Sequence, residues 1–121
     1  MISTALQITL AAIIPNTFLA MGDEEIPAPF CVHKEVVTPQ YLKVGIVGYT
    51  YDCSIAIIDA LPEDVEALVQ SVKNAVIALA GTTVSGTIIE SVIWEGDEPD
   101  FDTESKLYVN ILKFTIETSN R

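Results

Sequence analysis

The chain has 121 residues, of which 50% are hydrophobic, and 17 acidic against 6 basic residues give it a formal net charge of −11 at pH 7. This length fits one folded domain, residues 1–121, with a core of its own. The negative charge opposes binding to nucleic-acid backbones and to anionic membrane surfaces. Pro15, Asn16 and Thr17 interrupt the first apolar segment before it reaches the roughly 18 residues that a membrane span needs, so we expect a soluble protein.

The first predicted element is a short amphipathic helix near the N-terminus. Its apolar residues recur at helical spacing, Thr4 and Gln7 have the separation of a capping box, and Pro15 ends the pattern. Gly22, Pro27 and an acidic cluster follow, which indicates a loop that crosses to a sheet.

A pair of strands comes next. Residues 30–37 alternate weakly, and residues 38–48, which contain Pro39 and Gly45, are interpreted as a long hairpin loop. The following stretch, residues 48–59, is the clearest strand because Tyr49, Tyr51, Cys53, Ile55 and Ile57 fall on one face. A hairpin of this kind places Cys31 close to Cys53, and we expect both thiols to be reduced.

The second half predicts a helix and two more strands. Pro62 suits the first turn of a helix, acidic residues complement the helix N-terminus, and Gly81 marks the end. Strands are predicted at about residues 86–95 and 105–118, with the acidic run between them as the connecting loop. The expected fold is therefore α+β, a four-stranded antiparallel sheet with two helices on one face, in the order α-β-β-α-β-β.

The last predicted strand is apolar on both faces. Tyr108, Leu112, Phe114 and Ile116 share one face, while Leu107, Val109 and Ile111 share the other. Since helices cover only one face, the second apolar face is either a contact surface or part of a strongly twisted strand whose two ends are buried differently.

No pattern in the chain predicts catalysis, a metal site or a cofactor. His33 is the single histidine and has no recognisable nucleophile motif beside it, so a satisfied or solvated strand residue is the simpler interpretation. The acidic run lacks the spacing of a calcium-binding loop, and a solvated anionic loop is favoured over a metal site. We therefore expect a protein that is not an enzyme.

The order of these segments resembles the small tail-completion and tail-terminator proteins of long-tailed bacteriophages and prophages. The resemblance spans nearly the whole chain and rests on "IPAPFCVHKEV", "KVGIVGYTYDCSIAII", "LPEDVEALVQSVKNAVIAL" and "FDTESKLYVNILKFTIET". The segment "KVGIVGY" departs from the family pattern, because Lys43 and Val44 stand where an Asp is usual.

The resemblance implies a structural virion protein, synthesised in the cytoplasm of a bacterial host and located in the tail or neck. It implies a ring, typically of six subunits, that caps the tail tube, stops its polymerisation and forms the tail side of the head–tail joint. The implied partners are further copies of the chain, the tail-tube protein and the head–tail connector proteins, while DNA passes through without specific binding.

Three groups of residues are candidates for these contacts. The acids Asp97, Glu98, Asp100 and Asp102 are expected to face the lumen and repel DNA, although a docking loop for a neighbouring ring is the alternative. Tyr41, Leu42 and Lys43 are the candidate docking loop for the tube or connector. The candidate subunit interface comprises Trp94, Phe101, Leu107, Val109 and Ile111, with the alternative that Trp94 and Phe101 merely cover the end of the sheet.

A different class of function also fits the charge. An acidic protein can mimic DNA and inhibit a nucleic-acid enzyme, but this needs carboxylates spread along one surface at phosphate-like spacing. In the sequence the acids instead cluster at residues 23–25, 63–66 and 95–104.

Overall fold

The structure, a computed structural model, describes residues 2–19, 28–84 and 86–119. These residues form two helices, α1 (Ile2–Ala11) and α2 (Pro62–Ile77). They also form six strands: β1 (Thr17–Leu19), β2 (Phe30–Leu42), β3 (Gly45–Asp59), β4 (Thr83–Val84), β5 (Thr87–Asp102) and β6 (Leu107–Ser119). The predicted crossing loop spans residues 16–30, of which residues 20–27 lie outside the described residues; within it, Thr17–Leu19 form β1 rather than loop.

The predicted four-stranded fold is wrong. All six strands join one curled half-barrel sheet in the order β1-β2-β3-β6-β5-β4, in which five strands run antiparallel and β1 is parallel to β2. The two additional strands have three and two residues, too short to show any alternation of polar and apolar residues. The order of elements is consequently α-β-β-β-α-β-β-β.

Two predicted loops are also wrong, because both segments belong to strands. Strands β2 and β3 pair as far as Leu42 and Gly45, so the long loop at residues 38–48 is replaced by a turn at Lys43 and Val44. The acidic run belongs to β5 and pairs with β6 as far as Asp102. An exposed strand tolerates acidic side chains because they point into solvent, and so their presence does not require a loop.

The predicted second helix is present and ends earlier than expected, at Ile77. It begins with Pro62, acidic residues occupy its first turn, and its buried stripe is Val65, Val69, Val72 and Val76. Gly81 does not cap the helix, since the C-cap is Ala78 and the Gly81 N–H donates to the carbonyl of Ile89 in β5.

One hydrophobic cluster joins both helices to a single face of the sheet, here called the helix-side face. On that face lie Cys53, Ile55 and Ile57 of β3 and Leu112, Phe114 and Ile116 of β6. The helices contribute Ile2, Leu6 and Leu10 from α1 and the valine stripe from α2. Each fully buried side chain of this size stabilises the fold by about 1.5–3 kcal/mol. The opposite face of the sheet is called the open face.

The register separates the two cysteines. Cys31 pairs with Ile57 and Cys53 pairs with Glu35, four residues farther along β2. Four residues of a strand span about 13 Å, which is too far for a disulfide. Both thiols are buried and free, and burial raises the pKa of each to about 12.

Candidate assembly surfaces

The β2–β3 hairpin extends beyond the rest of the sheet. The last described residue of β6, Ser119, pairs with Gly48, so the hairpin tip at residues 40–47, here called the arm, has no β6 neighbour among the described residues. Its apolar residues Tyr41, Leu42, Val44 and Ile46 are all exposed, and Val44 reaches 89%. The predicted docking residues Tyr41, Leu42 and Lys43 therefore lie at the end of a paired hairpin. Exposed apolar groups clustered in this way mark a contact surface.

Gly48 is located where the arm leaves the sheet. A Cβ atom at this position would lie 2.3 Å from the carbonyl oxygen of Thr118, closer than any side chain can approach. The absence of a side chain thus allows β3 and β6 to meet closely at the base of the arm.

The four predicted lumen acids are all exposed, but they occupy both faces of the sheet. Glu98, Asp100 and Asp102 pair with open-face residues of β6, whereas Asp97 pairs with buried Leu112 on the helix-side face. Along β5 the three open-face acids recur at every second residue, about 6.8 Å apart. They form a regular row, and Asp97 does not belong to it.

Few contacts neutralise the acidic row. Lys113 Nζ lies 3.8 Å from Glu98 Oε2, and both side chains are exposed, which makes the pair weak. Asp102 has a different role, since its carboxylate accepts hydrogen bonds from Ser105 Oγ and from the backbone N–H of Glu104. These bonds lower the pKa of Asp102 and hold the turn between β5 and β6.

The five predicted interface residues are divided between the two faces. Trp94 and Phe101 pair with Phe114 and Tyr108 on the helix-side face, while Leu107, Val109 and Ile111 lie on the open face. Lys73 Nζ stands 4.0 Å from the centre of the Trp94 ring, and the Phe101 and Tyr108 rings are 4.7 Å apart. The structure does not bring the five residues into one patch.

On the open face, β6 and β3 form an apolar strip. Val109 pairs with Ile58, and Ile111 pairs with Ala56. Ile58 is only 7% exposed although it lies outside the main hydrophobic cluster, while Leu107, Val109 and Ile111 are half-buried. A second apolar surface of this kind on an otherwise polar face is typical of a contact site.

Sequence reasoning missed a groove of about 410 Å³ between α2 and the β5–β6 hairpin. Its walls include Val65, Val69, Pro99 and Tyr108, and its rim includes Asp97. Asn110 Oδ1, which is buried beside it, has no hydrogen-bond partner among the described residues. Since the groove depends on the register of β5 and on the position of α2, no single motif signals it.

His33 is buried and its ring is held at both nitrogens. Nδ1 lies 2.7 Å from Glu35 Oε1, and Nε2 lies 2.8 Å from Gln7 Oε1. The Gln7 amide in turn donates from Nε2 to the carbonyl of Thr17. The interpretation of His33 as a satisfied strand residue is confirmed, and the network ties α1 to β1 and β2.

The described residues contain no group of three or more His, Cys, Asp or Glu side chains arranged to hold a metal ion. Neither α1 nor α2 has the length and apolarity of a membrane-spanning helix.

Comparison with known proteins identifies a solved structure of similar fold. The fold is similar to a chain from a structure described as the virion of a native gene transfer agent particle, with a TM-score of 0.76 and 15% sequence identity. The similarity covers 95% of this chain and 92% of that chain. No family model and no curated protein matches the sequence.

Proposed function

We propose that this protein is a structural component of a phage-like virion that caps the tail tube as a ring, stops its polymerisation and forms the tail side of the head–tail joint. The observation that carries the proposal is the fold, which is similar over nearly its whole length to a chain of a gene transfer agent virion. The resemblance of its sequence segments to tail-terminator proteins supports the finer assignment. On this proposal the protein has no catalytic role and resides in the virion tail or neck.

The ring requires a heterologous interface, since each subunit must contact its two neighbours through different surfaces. The apolar strip of the open face supplies one such surface, with Leu107, Val109 and Ile111 at its β6 side. Trp94 and Phe101 belong to a separate contact near the β5 side of the sheet.

The arm is the proposed docking element for the tail-tube protein or the head–tail connector. Its exposed apolar side chains lie beyond the end of β6, where they can enter a site on another protein without disturbing the core. Lys43 adds a positive charge at the tip of a strongly acidic molecule.

The acids have the proposed role of keeping DNA off the inner wall of the ring. Glu98, Asp100 and Asp102 give the open face of β5 a continuous negative potential, which repels a phosphate backbone. Asp97 faces the other side of the sheet and contributes through net charge alone.

Native mass spectrometry of the purified protein, alone and mixed with tail-tube protein from the same genome, tests the proposal. We expect a closed hexamer, or a hexamer that forms once the tube is present. A monomer under both conditions would refute the ring.

A pair of matched substitutions then tests the open face. Ile111→Asp places a charge in the apolar strip and should leave a folded monomer that forms no ring. Ile8→Asp introduces the same change at a residue of α1 that is already 55% exposed, and ring formation should persist. If Ile111→Asp assembles as well as Ile8→Asp does, the strip is not the interface.

The arm is tested in the same way. Leu42→Ser should weaken binding to the tube or connector without preventing folding, because Leu42 is mostly exposed in the free protein. Ile77→Ser, on the exposed side of α2, serves as the control. Equal binding by both variants would remove the arm from the docking surface.

A second candidate function, inhibition of a nucleic-acid enzyme by DNA mimicry, is favoured by one observation. Glu98, Asp100 and Asp102 form a regular row on one face of the sheet. This regular spacing was not predicted from the sequence, in which the acids occur in clusters. Retention of a restriction enzyme or nuclease on the immobilised wild-type protein, lost in a variant with all three acids changed to amides, would support this candidate.

A further inference from the structure

The sheet has two long edges without a strand neighbour among the described residues. Among the described residues, strand β1 covers β2 only from Cys31 to His33, and no other described strand lies beside the rest of that edge of β2. At the other end of the sheet, β4 pairs with β5 at Thr87 and Ile88, and Ile89 exchanges backbone hydrogen bonds with Gly81 and Thr82, so the edge of β5 without a described neighbour begins after Ile89. Free strand edges expose backbone donors and acceptors and are templates for pairing with another chain.

The free edge of β2 is suited to accept a short strand. The Cys31 N–H points away from β3, toward the carbonyl of Asn16, so alternate residues Glu35 and Val37 direct their backbone groups to the same free side. Pro39, which follows in this alternation, has no N–H and ends the row of donors. Residues 36–42 carry no charge. Glu35, whose carboxylate lies 2.7 Å from His33 Nδ1, precedes them directly, with Lys34 before it, and Lys43 follows them.

The free edge of β5 has the opposite character. Register shifts at Ile89/Ser91 and at Trp94/Gly96 bound a regular stretch at residues 91–94. Glu95, Asp97, Glu98, Asp100 and Asp102 follow, with no basic residue before Lys106. Bulges, acidic residues and Pro99 protect such an edge against indiscriminate pairing and restrict regular pairing to the short stretch.

Each edge presents two consecutive exposed apolar residues, one on each face of the sheet. On β2 these are Val36 on the open face and Val37 on the helix-side face. On β5 they are Ile93 on the open face and Trp94 on the helix-side face. All four side chains are between 43% and 53% exposed. Joining the two edges buries one apolar pair on each face.

We propose that the β2 edge of one copy pairs with the β5 edge of a second copy, so that the sheet continues from subunit to subunit. When Val37 lies opposite Trp94, one of the two lysines approaches the acids that follow Trp94: Lys43 if the strands are parallel, Lys34 if they are antiparallel. Pairing between two β5 edges instead brings like charges together. The contact is head-to-tail and closes into a ring when the rotation between subunits permits. The inference rests on the proposed ring and adds a backbone contact between its subunits to the open-face strip proposed above.

Cysteine cross-linking of single-site variants tests the proposal. A Val37→Cys protein is mixed with a Trp94→Cys protein under the conditions in which the wild type assembles, and is oxidised with copper phenanthroline. We expect a covalent dimer of the two variants, since both new thiols lie on the helix-side face. The native thiols of Cys31 and Cys53 are buried, and their raised pKa values keep them out of the reaction.

The matched control is Val36→Cys mixed with Trp94→Cys. These two thiols lie on opposite faces of a continuous sheet, and no cross-link should form. A covalent dimer from Val37→Cys alone would overturn the proposal, because it would mean that two β2 edges pair with each other.

A proline substitution tests the backbone pairing itself. Val37→Pro removes an N–H on the free side and leaves the β3 ladder intact, as Pro39 already does at the next such position. Losing one hydrogen bond and one apolar contact at each junction should weaken assembly by at least about tenfold. Thr38→Ala, in the same exposed strand, should assemble like the wild type.

The outcomes separate this inference from the proposed function. A ring that forms normally with Val37→Pro and gives no cross-link between positions 37 and 94 would overturn the edge pairing while leaving the ring in place. A ring that persists while Val37→Pro loses binding to the tail-tube protein would also overturn it, by assigning the β2 edge to that protein. Absence of any wild-type oligomer, with or without tube protein, would refute both proposals.

Discussion

Raising the pH from 8 to 10 should destabilise the protein through its two buried thiols. Burial raises the pKa of Cys31 and of Cys53 from the ordinary value of 9.0 to about 12, and the nearby carboxylates of Glu35 and Asp52 add to the effect at Cys53. The unfolded chain releases these protons above pH 9, while the folded chain retains them. The stabilising contribution is therefore complete below pH 9 and is lost progressively between pH 9 and pH 12.

The magnitude follows from the ionisation of the unfolded chain. At pH 10 a thiol with a pKa of 9 favours the unfolded state by about 1.4 kcal/mol, so the two thiols together cost about 3 kcal/mol. That loss is large beside the roughly 5–15 kcal/mol by which single domains are stable.

Urea unfolding at pH 8 and pH 10, followed by far-ultraviolet circular dichroism, measures the loss. The comparison is the double variant Cys31→Ala/Cys53→Ala, which lacks both thiols and retains every other titrating group. The free energy of unfolding of this variant should be lower than that of the wild type at pH 8, because two small cavities are created. Its decrease from pH 8 to pH 10, however, should be smaller than that of the wild type by about 3 kcal/mol. An equal decrease in the wild type and the variant would refute the burial of protonated thiols.

Three further predictions concern individual contacts. Gln7→Ala removes both hydrogen bonds of the side chain that links His33 to β1. Chemical denaturation should show that the free energy of unfolding falls by about 2 kcal/mol, against less than about 0.5 kcal/mol for the exposed control Gln40→Ala. Gly48→Ala should lower the melting temperature and, by NMR, disturb the end of β6, because the new Cβ lies 2.3 Å from a carbonyl oxygen; unchanged β6 amide shifts would contradict this account. In an NMR titration, the Asp102 carboxyl should have a pKa below its ordinary value, and Ser105→Ala should raise that pKa. The ionised Asp102 carboxylate stabilises the turn at neutral pH, and this stabilisation is lost as the pH falls through the folded-state pKa.

The long elements of the fold were predictable because their apolar periodicity is strong. The valine stripe of α2 predicts the buried face of the helix, and the alternation that ends at Ile57 predicts the buried face of β3. Strands β1 and β4 were not predictable, since three and two residues cannot display a period and form only because a long neighbour is available. The extent of the β2–β3 hairpin was missed because Pro39 suggested a loop, although a proline is compatible with a strand whose N–H side is free.

The candidate contact residues were only partly predictable. Tyr41 and Leu42 are exposed at the hairpin tip, and their docking role stays a prediction. The division of the acids between two faces depends on bulges. By alternation alone, Asp97 and Trp94 would lie on opposite faces of the sheet. The register shift between Trp94 and Gly96 instead places both on the helix-side face. A bulge depends on tertiary packing and leaves no fixed signature in the chain.

The central position of the β3–β6 pair has a consequence for how the chain folds. The β2–β3 and β5–β6 hairpins each close through a short turn, whereas β3 and β6 join residues such as Cys53 and Phe114 that are far apart in sequence. Local hairpins form within microseconds, but distant strands must first close a long loop, so the pairing of the two hairpins is expected to be the late and slow event. Until then Ile55 and Leu112 lie on unprotected strand edges. In the half-folded chain, pairing of one hairpin with its own partner hairpin competes with pairing to a hairpin of another molecule. The yield of soluble protein at high expression therefore depends on how quickly the two hairpins of one chain pair.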